Sequence, residues 1–98
     1  MEFVMNNSVN LKFNNTLTNL AGYDYGCEIY RTQVKGKINI NEIFTIQFPS
    51  QITGVASSFV QGFFSEIVSE IGLVSTEERT RIESDNENLK NNLIKKLF

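Results

Sequence analysis

The chain has 98 residues, a formal net charge of −2 and no histidine, and 41% of it is apolar. That size and balance fit one globular domain and exclude collagen-like or low-complexity architecture. The acidic charge argues against a general nucleic-acid binder, which needs a basic face to displace counterions, and against docking on anionic lipid.

The single cysteine, Cys27, has no internal partner, which fits a reducing compartment. The opening MEFVMNNSVN has no basic n-region and no long apolar run, so no signal peptide is expected. No stretch approaches the ~20 apolar residues of a membrane span. A cytoplasmic protein is the expectation. Twelve asparagines are scattered along the chain without an evident role.

Residues 1–14 read as a strand or hairpin. Phe3 and Met5, then Val9, Leu11 and Phe13, alternate with polar residues, and Asn6 to Ser8 offer a turn. Val9 to Phe13 is the better strand. The polar residues 14–19 connect it to a helix expected over 20–34, where Leu20, Tyr23, Cys27, Tyr30 and Val34 share one stripe. Gly22 and Gly26 lie one turn apart. Either they admit a close backbone neighbour, or Gly22 belongs to the preceding loop.

Ile43 to Phe48 is a β-rich run stopped by Pro49. Apolar residues on both faces, at Ile43 and Phe44, suggest a central strand covered on both sides. A helix should follow, capped by Ser57 or Ser58. Val60, Phe63, Phe64, Ile67, Val68 and Ile71 form its apolar stripe, Gly72 closes it, and Leu73 makes the contact beyond. Thr76 to Arg79 reads as a charged connection and Thr80 to Glu83 as a short strand. Ser84 and Glu87 have capping-box spacing ahead of a last helix carrying Leu89, Leu93, Ile94 and Leu97. Alternating strands and helices predict an α/β fold: a mixed, mainly parallel sheet of about three to five strands backed by about three helices.

Little catalytic chemistry is on offer. Without histidine there is no Cys–His pair and no Ser–His–Asp triad, and one cysteine makes zinc improbable. Glu77-Glu78 and Asp85-Asn86-Glu87 match no EF-hand loop, and Gly22-x-x-x-Gly26 is not a phosphate loop. Cys27, on the expected apolar stripe, reads as a buried thiol. No enzyme, cofactor or metal is expected.

One segment attracts attention as a binding surface. Residues 51–59 join the central strand to the best helix, at the carboxyl end of a strand, where partners of open α/β sheets tend to dock. Thr53, Gly54, Ala56, Ser57, Ser58 and Phe59 are the candidate partner-binding residues. Helix capping by Ser57 or Ser58 is the plainer alternative.

Ile46-Gln47-Phe48, then Ile52-Thr53-Gly54-Val55-Ala56-Ser57-Ser58-Phe59, Gly62-Phe63-Phe64 and Ile71-Gly72, resemble the bacterial STAS-like domains of unknown function. These are distant relatives of the sulphate-transporter and anti-sigma-factor-antagonist domain. The similarity covers residues 16–98 and is strongest over 43–72. It implies a helix-backed sheet and a regulatory role through binding another protein, such as a histidine-kinase-like ATPase or a transcription regulator. In the antagonists a serine at the start of this helix is phosphorylated, and Ser57 occupies the matching position. The antagonists carry Asp where this chain has Ala56, and Gly where it has Phe59. Two alternatives stay open: a homodimeric or assembly role motivated by the eight phenylalanines, and a phage- or mobile-element-borne inhibitor of a host system.

Overall fold

The computed structural model describes residues 7–97. The expected piece around Phe3 and Met5 lies outside them. Three strands, β1 (Ser8–Asn10), β3 (Phe44–Gln47) and β5 (Thr80–Glu83), form a parallel sheet in the order β1-β3-β5. A two-stranded parallel ladder pairs β2 (Asn19–Leu20) with β4 (Gly54–Val55). The helices are α1 (Tyr23–Ile29), α2 (Ser57–Phe63), α3 (Ser65–Ile71), α4 (Leu73–Arg79) and α5 (Glu87–Asn92). The fold is α/β, as the alternation implied.

The main sheet is covered on one face only. Val9, Ile46 and Ile82 stand in register, with Phe44 beside Thr80, and they face the helices. The opposite face carries two polar rows: Ser8, Thr45 and Arg81, then Asn10, Gln47 and Glu83. This corrects the expectation of a strand buried on both sides. Ile43 shares its face with Thr45 and Gln47, and it is 56% exposed. The two-residue period of the strand therefore outweighs the local Ile43-Phe44 pair.

β1 is shorter than the Val9–Phe13 pattern suggested, although Leu11 N–H still donates to Gln47 O at 2.9 Å. Both ends of β1 are held by side-chain amides. The Gln33 amide accepts from Lys12 N–H at 2.7 Å and donates to Lys12 O at 2.8 Å. The Asn7 amide accepts from Asn39 N–H and donates to the Asn39 and Ile43 carbonyls.

The helix expected over 20–34 starts later. Leu20 belongs to β2, and Gly22, at φ +104°, is the cap residue before α1. The last turn, Tyr30–Val34, widens into a π-helix. The buried face also differs from the expected stripe. Gly26, Ile29, Tyr30 and Val34 are buried, whereas Tyr23 is 49% exposed and Cys27 half-buried.

The cause is the crossing of α1 and α2, the most extensive contact between elements. The helices meet at Gly26 and Gly62. A methyl group at Gly26 would collide with the Phe59 carbonyl and lie 2.7 Å from Phe63 N. One at Gly62 would collide with the Tyr23 carbonyl. The obstacles are backbone atoms, which have nowhere to go. So α1 turns its two-sided small position toward α2, rather than its larger side chains.

Residues 57–71 contain the expected helix, bent at Phe64 (φ −93°, ψ 1°) between α2 and α3. Main-chain bonds run through the bend, from Phe64 N–H to Val60 O and from Val68 N–H to Phe64 O. Gly72, at φ +86°, stops it as expected. Leu73 does not fold back as a capping contact; it begins α4 and is 37% exposed. Thr76 to Arg79, read as a connection, is helical. Thr76 is wholly buried, its hydroxyl donating to Gly72 O at 2.7 Å, and this satisfied hydroxyl lets a charged segment sit helically against the core.

The final helix starts two residues later than the Ser84 capping box implied. Asn86 is the cap, its side-chain oxygen accepting from Leu89 N–H at 3.0 Å, while Ser84 Oγ accepts from Asn86 N–H. Leu89 and Leu93 are buried, with Ile94 and Leu97 packed beside them.

The core is strongly aromatic. Phe44, Phe48, Phe59, Phe63 and Phe64 are each 3% exposed or less. Tyr25 meets Phe59 edge-on at 5.6 Å, and Tyr30 meets Phe63 edge-on at 5.9 Å. Such pairs add about 0.5–1.5 kcal/mol each beyond area burial.

We expect Gly62→Ala to lower the unfolding free energy by about 1–3 kcal/mol or more in urea denaturation, since backbone must shift to admit one methyl. Burial, and then the Glu66 and Glu70 carboxylates, raise the Tyr30 hydroxyl above the ordinary tyrosine value near 10.0. The stability this contributes is complete below pH ~10 and is lost as pH rises through the higher folded value. Tyr30→Phe should therefore flatten the alkaline fall of the urea midpoint.

Candidate functional site

The ladder of β2 and β4 brings two strand-to-helix junctions side by side. Leu20 leads through Ala21 and Gly22 into α1, and Val55 leads through Ala56 into α2. The junctions are tied by main-chain bonds. Thr53 N–H donates to Thr18 O at 2.8 Å, and Ala56 N–H donates to Leu20 O at 2.8 Å. Gly54 lies half-buried beneath the Asn19 side chain.

The serines do not cap their own helix. The cap position is Ala56, in extended geometry at φ −76° and ψ 154°, and among the described residues no side chain caps α2. Ser57 and Ser58 are its first two helical residues. Ser58 Oγ instead accepts a hydrogen bond at 2.9 Å from the N–H of Gly22. It thus satisfies a free donor at the start of the neighbouring helix. Cap prediction from sequence assigns a serine to the nearest helix in the chain, and only the fold reveals a nearer one in space.

Besides the half-buried Gly54, the candidate residues separate into three groups. Thr53, Ala56 and Ser57 are exposed and present small side chains. Ser58 is exposed but its hydroxyl is committed to Gly22. Phe59 is 1% exposed and stacks with Phe63 at 5.9 Å. Its ring is core material and cannot form part of a docking surface; it fixes the start of α2 from behind.

The structure adds residues that the linear pattern did not connect to this surface. Ala21, Tyr23 and Asp24 are exposed on the adjoining junction. Tyr23 is the large apolar group there. Its assignment to a buried stripe hid it, and only the Gly26–Gly62 crossing rotates it outward.

Other chemistry is sparse. Among the described residues no three His, Cys, Asp or Glu side chains gather to hold a metal ion. Cys27 Sγ lies 3.7 Å from Ser65 Oγ, half-buried between α1 and α3 rather than deep in the core. Among the described residues no helix is long and apolar enough to cross a membrane.

Comparison with protein-family models, curated proteins and solved structures finds no match, and nothing in it identifies a STAS-like family.

Removing the Ser58 hydroxyl leaves the Gly22 donor without its partner, so Ser58→Ala should cost about 0.5–1.5 kcal/mol. Ser57→Ala, one residue away, should change stability by less than ~0.5 kcal/mol. Paired urea titrations of the two variants check the contrast.

Proposed function

We propose that this chain is a non-catalytic, STAS-like regulatory module that binds another protein through the paired junctions at the starts of α1 and α2. The observation that carries the reading is the division of labour within one short segment. Phe59 anchors it inside, Ser58 ties it to Gly22, and Thr53, Ala56 and Ser57 face outward from a fixed backbone. A surface already held in place loses little conformational entropy on binding. Small side chains permit close approach, and Tyr23 beside them supplies an aromatic contact of the kind enriched at interfaces.

The resemblance of residues 43–72 to STAS-like domains favours a histidine-kinase-like ATPase or a transcription regulator as partner, in the cytoplasm. Ser57 is exposed and its hydroxyl has no hydrogen-bond partner among the described residues. Phosphate there would add about −1.5 to −2 charges to a surface that already carries Asp24. The partner would then be repelled rather than recruited if it were acidic. Ala56 and Phe59, where the antagonists have Asp and Gly, favour simple docking over such a switch.

Among the described residues, the phenylalanines present no exposed face for a homodimer. The five buried phenylalanines account for the core, and Phe13 packs against it.

The test is co-purification from the native host with wild type, Ser57→Glu and Tyr23→Ala, each first checked for wild-type thermal stability. A partner retained by wild type and lost from both variants is the expected outcome. The same set of bound proteins for all three would end this reading.

A further inference from the structure

A cavity of about 350 Å³ opens at the carboxyl ends of all three strands of the main sheet. Its wall comes from the exits of β1 (Asn10, Lys12), β3 (Gln47, Ser50) and β5 (Glu83, Asp85). None of these belongs to the surface at the start of α2. Carboxyl strand ends are where α/β proteins commonly hold small ligands, and the volume is at the lower end of ligand pockets.

The charges in the cavity are sorted by strand. Lys12 stands beyond β1 at one edge of the sheet, and Glu83 and Asp85 stand at the end of β5 at the other. The Gln47 amide lies between them on the central strand, in one register row with Glu83 and with Asn10, which shares the edge strand that leads to Lys12. Two strand spacings separate the edges, about 10 Å. Among the described residues, the side chains of Asn10, Lys12, Gln47, Ser50 and Asp85 make no hydrogen bond or ion pair. Among the described residues, the Glu83 carboxylate has only a long contact with Lys90, at 3.9 Å.

We propose that this cavity binds a short peptide of two or three residues with both termini free. The carboxylate lies toward Lys12 and the ammonium toward Glu83 and Asp85. The peptide groups between them exchange hydrogen bonds with the Asn10 and Gln47 amides, which both donate and accept. Length decides the class. Extended chain spans at most about 3.3–3.6 Å per residue, so two or three residues cover roughly 7–11 Å and match the spacing of the two edge strands from which the charged side chains rise. A single α-amino acid reaches only one edge at a time. The polar, scarcely aromatic wall offers no platform for a nucleobase, and the one lysine faces two carboxylates, which disfavours a polyphosphate.

The test is an amide chemical-shift titration of the full chain with diglycine and triglycine. Free glycine, glycerol and a triglycine blocked at both ends serve as comparators. Shifts confined to residues 10–12, 47–50 and 83–85, given by the free peptides and weak or absent with the comparators, are the expected result. Lys12→Met and Asp85→Asn should each weaken the response about threefold or more, with unchanged spectra elsewhere. Blocked triglycine should be indifferent to both substitutions. The proposal is overturned if the free peptides give no shifts at these residues. It is equally overturned if the blocked peptide binds as well, or if neither substitution weakens binding. Loss of co-purifying partner on Tyr23→Ala is a separate readout, so either idea can fail alone.

Discussion

The contact on which the molecule depends is the crossing of α1 over α2 at Gly26 and Gly62. Two backbones approach so closely there that neither position tolerates a side chain. Protein interiors are close-packed, so removing two side chains at a crossing brings whole helices nearer and redirects what lies on either side. Three consequences meet at this point. Phe59 and Phe63, flanking Gly62 on α2, are pressed onto Tyr25 and Tyr30. Tyr23 is rotated out to solvent. The starts of both helices are drawn together, so that Ser58 reaches Gly22 and the β2–β4 ladder can form.

Much of the architecture was legible in the linear pattern, for reasons that are local. The β-rich run ending at Pro49, the apolar stripe of residues 60–71 and the stop at Gly72 all follow from periodicity and backbone preference, which need no knowledge of neighbours. What escaped is what only neighbours decide. The face that α1 buries depends on which helix approaches Gly26. The fate of Ile43 depends on whether a second layer covers the sheet. The helical state of Thr76 to Arg79 depends on a buried hydroxyl finding the Gly72 carbonyl. In the candidate site, the linear pattern groups Phe59 with Thr53, Ala56 and Ser57, yet it is buried and they are exposed. Its position two residues into a helix does not tell core from surface until the helix axis is placed.

Four of the asparagines, without evident purpose in the sequence, gain one in the structure. Asn7 clamps the turn after Lys37 to the start of β1. Asn14 accepts from Thr16 N–H, and Asn39 accepts from Asn41 N–H, each closing a tight turn. Asn86 caps α5. A short polar side chain that mimics a peptide group suits such work, because it supplies a donor and an acceptor where the chain changes direction. In a fold whose strands run two to four residues, side-chain amides carry part of the task that longer ladders perform elsewhere.

Gln33 extends that logic to the rim of the sheet. The bonds of Leu11 point inward to β3, so those of Lys12 point away from it. The Gln33 amide takes both, as a single residue of an added strand would. A free strand border invites foreign chains to join it, the route by which small β-containing proteins template aggregates and swap segments. Here the invitation is withdrawn by one carboxamide supplied from the π-helical turn. The border is closed at Lys12, just beyond β1, so a stranger meets a shorter free edge there.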